Sequence, residues 1–285
     1  MGYAKIQNLY KATDILLFKE IFSLEKIHGS SGWIGYDNGK MFFYGGGCKH
    51  EDFVQIFDEE VLLSKFAEMY NEHKMVVYGE VYGGKMQKMS DTYGKELRFV
   101  AFDVKMGDRW LAVPQAEDVV KNLGLEFVHY VKVSTDLETL NRERDRDSVQ
   151  AIRNGLGEGH PSEGIVIRPI IELTKNNGER MIAKHKKEVF RETKSVKPVN
   201  EEKLEILREA QAIADEWVTE MRLSHVVDKL GVDVDVVNIP LIIRGMLEDI
   251  KIESVGEVEW SKECDKSIGK ATADLVKSVC KQSLC

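Results

Sequence analysis

Glu25-Lys26-Ile27-His28-Gly29-Ser30-Ser31 follows Ile21-Phe22-Ser23-Leu24, which sets a lysine at the end of an apolar, β-like run, four residues from Phe22. Burying that lysine as a cation is expensive, and the ordinary outcome is a stem laid along the strand with its ammonium at an edge. From Glu20 to Gly47 the texture stays β. Tyr36-Asp-Asn-Gly-Lys40 carries the Asn-Gly dipeptide of a two-residue hairpin turn, and Met41-Phe-Phe-Tyr44 continues it.

Four later segments repeat the pattern of a charge set into an apolar or aromatic run. Tyr78-Gly-Glu-Val-Tyr-Gly-Gly84 places Glu80 in an otherwise uncharged strand that ends in glycines, and Arg98-Phe-Val-Ala-Phe-Asp-Val104 places Phe102 beside Asp103. Ser162-Glu-Gly-Ile-Val-Ile-Arg-Pro169 opens a buried-looking strand with Glu163. Met181-Ile-Ala-Lys-His-Lys-Lys187 sets Lys184 and Lys186 two apart, hence on one strand face. Singly, each reads as a strand-end charge. Together, in this order, they ask for a common explanation.

The rest of the chain frames these segments. Helices are expected over Asp58–His73, with Asp58 as N-cap, and over Pro114–Leu123, with Gly124 just past the end. Strands are expected at Met75–Tyr82, Leu97–Val104, Glu126–Val133, Glu163–Pro169 and Arg180–Lys187, and residues 134–162 read as a polar surface excursion. Glu201–Leu230 lacks proline and glycine and carries Leu204, Leu207, Ile213, Trp217 and Met221 at helical spacing, and Val237–Lys251 and Ser267–Lys281 read as further helices. A boundary therefore falls near residues 197–200.

With 43% hydrophobic and 31% charged residues, the chain can bury a core and is neither disordered nor built to span a membrane. Cys48, Cys264, Cys280 and Cys285 form no Cys-x-x-Cys pair, so no disulfide scaffold or zinc site is expected, and a reducing cytoplasm is. The net charge of −8 argues against a simple basic nucleic-acid binder. It is uneven: residues 200–285 hold 11 basic and 18 acidic side chains (−7), which leaves 29 and 30 (−1) for residues 1–199. Within that near-neutral part, Lys184 to Lys197 carries six basic residues against Glu188 and Glu192, a strip able to hold phosphates or simply to be solvated.

In sequence order, Lys26-Ile-His-Gly, Tyr78-Gly-Glu-Val-Tyr-Gly, Phe99-Val-Ala-Phe-Asp, Glu163-Gly-Ile-Val-Ile-Arg-Pro and Ile182-Ala-Lys-His-Lys resemble motifs I, III, IIIa, IV and V of the covalent nucleotidyltransferase superfamily of ligases and capping enzymes. Within it the chain resembles the phage-type RNA ligase 2 family, because His28 stands where DNA ligases and capping enzymes carry aspartate. Trp217-Val-Thr-Glu-Met-Arg-Leu-Ser-His225 is similar to that family's C-terminal domain. Two positions depart from the pattern. Ser30-Ser31 replaces Thr-Asn, and no motif Ia arginine follows Met41–Tyr44, where Gly45-Gly-Gly-Cys-Lys-His50 offers Lys49 as a substitute.

The resemblance implies an α+β fold. A nucleotidyltransferase domain on antiparallel sheets with flanking helices would span 1–199, and a small all-helical domain 200–285. It implies an ATP-dependent RNA ligase joining 5′-phosphate and 3′-OH ends through lysyl-AMP and RNA-adenylate, with Mg²⁺ or Mn²⁺. Lys26 would be the nucleophile; with a free pKa near 10.4, only about 0.04% of a lysine is neutral at pH 7, so nearby cations and desolvation are needed. Lys184 and Lys186 would supply such charge and bind the α-phosphate. Glu80 would hold the ribose, Phe102 would stack on adenine and Asp103 would support the local network. Glu163 would serve catalysis and lie at the metal. Glu25, Ile27, His28 and Lys49 complete the nucleotide-binding set, with Glu25 acting through its backbone, and His28 fits equally a pyrophosphate contact or a structural role. The expected partner is RNA ends, nicked or structured, met by a cytoplasmic monomer, with the helical tail orienting RNA through a few side chains such as Arg222. Two other classes compete. A guanylyltransferase or DNA ligase would normally append an OB-fold barrel, which the helical tail does not resemble. A binding module that lost its chemistry would not need Lys26, Glu80, Glu163, Lys184 and Lys186 intact.

Overall fold

A computed structural model of the chain describes residues 2–70, 73–190 and 198–282. By its own contacts the chain divides into two compact units, Met1–Pro198 and Val199–Cys285. In the first unit the strands are β1 (Gln7–Asn8), β2 (Glu20–Lys26), β3 (Ser30–Asp37), β4 (Lys40–Gly45), β5 (Met75–Gly83), β6 (Leu97–Met106), β7 (Arg109–Trp110), β8 (Tyr130–Ser134), β9 (Gly164–Pro169) and β10 (Ala183–Lys186). They form two five-stranded sheets, ordered β1-β10-β9-β2-β8 and β4-β3-β5-β6-β7, antiparallel throughout except for the β1–β10 pair. This is the mixed α and β fold with antiparallel sheets that the sequence predicts.

Local chemistry accounts for most element ends. Asn38 and Gly39 both take positive φ, 49° and 74°, as a two-residue hairpin requires, and so join β3 to β4. The first helices are α1 (His50–Val54), α2 (Glu59–Tyr70) and α3 (Ser90–Tyr93). Asp58 caps α2 by accepting the Val61 N–H at 3.1 Å, and Tyr36 of β3 stacks on Phe66 of α2 with ring centroids 5.2 Å apart. A further helix, α4 (Val113–Asn122), packs Val113, Ala116, Val119 and Val120 into the same core as β6. Gly124, just beyond it, is left-handed.

Three expectations change. Residues 134–162 are not a featureless excursion: they hold α5 (Leu137–Asp145) and α6 (Val149–Arg153), which bury Leu140, Gln150 and Ala151. The first is poor in apolar residues and the second is only five residues long, but Asp136 and Ser148 cap them by accepting the N–H groups of Thr139 and Ala151. The expected strand 126–133 is divided between sheets. Glu126 and Val128 bond Ala101 of β6, whereas residues from Tyr130 onward pair with β2, so this segment ties the two sheets together. The expected strand 180–187 narrows to β10, and of its basic extension Arg191, Lys194 and Lys197 lie outside the described residues.

In the second unit the expected long helix is two, α7 (Glu201–Trp217) and α8 (Glu220–Leu230). Val218 leaves helical geometry and Thr219 caps the second helix from its side chain, which resets the apolar stripe: Leu223, Val226 and Val227 are buried and Met221 is exposed. With α9 (Ile239–Glu253) and α10 (Lys262–Gln282) they enclose a core that includes Ala210, Ala214, Ile242, Met246, Ile268 and Val276. Arg222, expected to face nucleic acid, is engaged within this unit by Asp249 and by Glu253 at 2.9 Å, its guanidinium over the Trp217 ring.

Gly164 begins β9 at φ 142°, and a Cβ there would lie 2.2 Å from the His185 carbonyl oxygen. Gly164→Ala is therefore expected to lower the unfolding free energy by about 3 kcal/mol, measured by urea denaturation followed by circular dichroism. An unchanged midpoint would mean that β9 and β10 do not approach this closely.

Candidate active site

Strand alternation aims the motif residues. On β2, Leu24 and Lys26 face a cleft while Glu25 faces the opposite side. Register then aligns neighbours: Lys26 and Lys186 both lie opposite Gly164, and Leu24 and Lys184 both lie opposite Val166. Two lysines thus flank a position without a side chain, and Glu163 stands immediately before it. Its backbone is fixed from both sides, since its N–H donates to the Lys26 carbonyl at 2.9 Å and its carbonyl accepts from Lys187 N–H at 3.0 Å.

The Glu163 carboxylate gathers three side chains. Lys26 Nζ lies 2.9 Å and His28 Nδ1 3.1 Å from Oε2, and Lys186 Nζ lies 2.8 Å from Oε1. Burial alone would raise its pKa, but the His28 hydrogen bond, the Lys26 charge and the Lys186 hydrogen bond outweigh burial and hold it at about 2. Glu80, from the second sheet, behaves oppositely. Burial pushes its carboxyl up to about 7 despite the charge of Lys26 and the Gly29 N–H, which donates to Oε1 at 3.0 Å, while Glu163 adds repulsion. Gly29 is required there, because a Cβ would meet the Val81 carbonyl oxygen at 2.2 Å.

The cleft is a cavity of about 270 Å³ bordered by both sheets. Lys26, Lys184, Glu80 and Phe102 line it together with Glu25 and Ile27. The Glu25 carboxylate itself points away: it accepts from Ser148 Oγ at 2.5 Å and from Gln150 N–H at 3.2 Å, and burial raises its pKa. Ile27 is part of the core. His28 borders Glu163 instead of the cavity, with its N–H 3.3 Å from Tyr93 Oη and its ring 5.0 Å from that of Phe190. Lys49 is not brought into the group. It is exposed at the start of α1, because Gly46 is tied to the Ser31 carbonyl and the chain turns outward from there.

Sequence reasoning missed the floor of this cleft. Tyr3 to Ile6 line it, and Tyr3 Oη donates to Asp103 at 2.7 Å. Asp103 also receives Arg168 at 3.0 Å and Arg180 at 2.6 Å, and both arginines bond Glu172. A charge-balanced network of this kind is the condition for burying Arg168 almost completely. The available signal was Arg168 in the otherwise apolar Ile165–Pro169 run.

Among the described residues no cluster of three or more His, Cys, Asp or Glu side chains is arranged to hold a metal ion. Glu163 with phosphate oxygens of a nucleotide fits Mg²⁺, which takes one or two carboxylates and keeps much of its water.

The family model described as RNA ligase matches residues 19–186, which include all the motif residues from Lys26 to Lys186. The chain belongs to the RNA ligase family. Among solved structures it is similar to the Naegleria gruberi RNA ligase with PPi, at 14% identity and a TM-score of 0.51, covering 67% of this chain and 57% of that one. A mutant of the same ligase without ligand gives 13% identity and a TM-score of 0.52, and one with ATP and Mn gives 13% and 0.50, with the same coverage. At such identity the likeness is one of fold, the fold of RNA ligases, and this chain spans under two thirds of those ligases' length. No curated protein sequence matches the chain significantly.

The two cleft carboxylates predict opposite pH effects. Glu80 keeps its proton in the folded state up to about 7, whereas its ordinary value is 4.5, so its contribution to stability is lost as pH rises through that window. Glu163, held at about 2, contributes above 4.5 and loses that contribution as pH falls toward 2. Glu80→Gln is therefore expected to gain stability relative to the wild type between pH 4.5 and 7 and to stay level above it, as read from urea midpoints across pH. Parallel curves would mean that Glu80 is not held protonated.

Proposed function

We propose that the chain is an ATP-dependent RNA ligase that joins 5′-phosphate and 3′-OH ends through lysyl-AMP and RNA-adenylate. The observation that carries this reading is one carboxylate, Glu163, drawing Lys26 and His28 from one segment and Lys186 from another to the edge of a cleft that also presents Glu80, Phe102 and Lys184. The Naegleria ligase structures that hold ATP, AMP or PPi support ATP as the substrate.

Lys26 Nζ, as the neutral amine, attacks the α-phosphorus of ATP: a P–N bond forms, the bond to the β-phosphate oxygen breaks to release pyrophosphate, and the amine proton passes to solvent. Glu163, at about 2, is no proton acceptor at neutral pH. Its work is electrostatic: it holds Lys26 in place, and because Lys186 and His28 share its charge, the carboxylate is not given to that amine alone. Lys184 and Lys186 project from one face of β10 and neutralise charge on the α-phosphate as it transfers. Phe102 stacks on adenine and Glu80 bonds the ribose hydroxyls, able near neutral pH both to accept and to donate. Mg²⁺ or Mn²⁺ would be held by Glu163 together with the phosphates of ATP and would supply further charge neutralisation. AMP then passes to the RNA 5′-phosphate, and the 3′-OH displaces it. RNA ends are the partner, and no described helix is long and apolar enough to cross a membrane.

The test is incubation with α-labelled ATP or GTP and Mg²⁺, followed by a denaturing gel. ATP alone should label the wild type; Lys26→Ala should abolish labelling yet still seal pre-adenylated RNA, and Lys184→Ala and Lys186→Ala should each lower labelling on the order of 100-fold. Labelling that survives in Lys26→Ala refutes the nucleophile. GTP labelling would instead point to guanylyl transfer.

A chain ending at Val199 retains every residue given a role here. It is expected to label with ATP and to join pre-adenylated strands, while losing most closure of a 5′-phosphate nick, with the four-helix unit acting on RNA orientation. Equal nick closure by both forms would make that unit dispensable.

A further inference from the structure

The sheet that carries Glu80 continues beyond the cleft as an aromatic surface. Ser31, Glu80 and Val100 form one cross-strand row and all three line the cavity. The next row on the same face is Tyr44, Trp33 and Tyr78, from β4, β3 and β5, and the row after that pairs Phe42 with Gly35. Tyr78 is buried, but Tyr44 and Phe42 are 52% and 47% exposed, unusual for aromatic residues on an edge strand. The Trp33 and Tyr44 rings lie within 19° of parallel, with centroids 6.0 Å apart. Gly35 makes room for the indole: a Cβ there would meet Trp33 Cζ3 at 3.1 Å. Lys40 shares the exposed face of β4 with Phe42 and Tyr44 and adds a cation at the end of the stripe.

Near-parallel aromatic faces, flat backbone and a flanking lysine on a sheet are what unpaired nucleic-acid bases need, since every base has a stacking face and duplex bases keep theirs covered. We infer that Trp33, Phe42 and Tyr44 form a stacking platform for unpaired RNA nucleotides leading to the end held in the cleft. This rests on the ligase reading and deepens it: the preferred substrate carries a single-stranded end, not a continuous duplex with a nick. Continuity with the cavity favours RNA over a second copy of the chain as the occupant.

The full-length Phe42→Ala/Tyr44→Ala variant tests this, since both side chains are exposed; circular dichroism checks its fold. Binding is read by fluorescence anisotropy with a dye-labelled single-stranded oligoadenylate RNA and with a nicked RNA duplex. Expected is a loss of single-strand affinity on the order of 10-fold for each base unstacked, little change for the duplex, an unchanged rate of ATP labelling, and recovery in Phe42→Tyr/Tyr44→Phe. Unchanged single-strand affinity overturns the platform, as does an equal loss on both RNAs. If affinity is unchanged but sedimentation shows the variant losing a wild-type dimer, the face joins two copies and the platform is likewise overturned. Should the wild type fail to label with ATP while the variant still loses single-strand affinity, the platform stands as an RNA site and the ligase reading falls.

Discussion

One carboxylate facing three cationic or protonatable groups organises the cleft of this molecule. Glu163 is anchored by its backbone between β2 and β10, and Gly164 beside it, at the start of the intervening β9, lets β10 come close enough for Lys26 and Lys186 to reach the same carboxylate. A buried anion with this many donors is stable as an anion, and two partly buried lysine ammoniums near each other are tolerable only with it. Removing Glu163 would leave cations facing one another, and removing either lysine would leave the carboxylate less compensated. The motif glycines belong to the same constraint. Gly29 and Gly164 sit where a carbonyl oxygen comes within 2.2 Å of a would-be Cβ, so they set the spacing at which the charges meet.

A second ionic group, away from the phosphate end, holds the opposite wall. Asp103, Glu172, Arg168 and Arg180 pair two acids with two bases, and Tyr3 caps the assembly while its ring meets Phe102 edge-on at 5.0 Å. Phe102 thereby gains a fixed backing at the cavity wall. The N-terminal strand β1 pairs with β10, which carries Lys184, so the chain start braces both Phe102 and the strand of Lys184.

The parts legible in sequence were those in which a local rule and a global need coincide. The Asn38-Gly39 turn, the Asp58 cap and the alternation that sets Lys184 and Lys186 on one face all follow from short-range chemistry, and their outcomes match. The nearness of Lys26 to Glu163, 137 positions away, came through motif order, not through any local signal. What stayed hidden had no local signature. Helix α5 carries few apolar residues and α6 is only five residues long, so their caps are the clearest marks of them; Tyr3 and Arg180 look like ordinary surface residues until the fold brings them to Asp103. Lys49 differs from these: it is exposed at the start of α1 and is not among the residues that line the cavity.

The two cleft acids show why a fold of this kind separates its charges between sheets. Glu163 lies among donors and is held near 2, while Glu80, facing it from the other sheet with a single backbone donor, is pushed to about 7. If both carried full charge without a ligand, their repulsion across a low-dielectric gap would oppose closure. A proton on Glu80 relieves that repulsion and leaves Glu163 free to hold Lys26. The same asymmetry gives one part of the cleft lysines whose counter-ion is already fixed, and another a nearly neutral acid able to accept and donate. The burial that makes Glu80 a reluctant anion is therefore the feature that lets one narrow cleft present a cationic end and a neutral polar end at once.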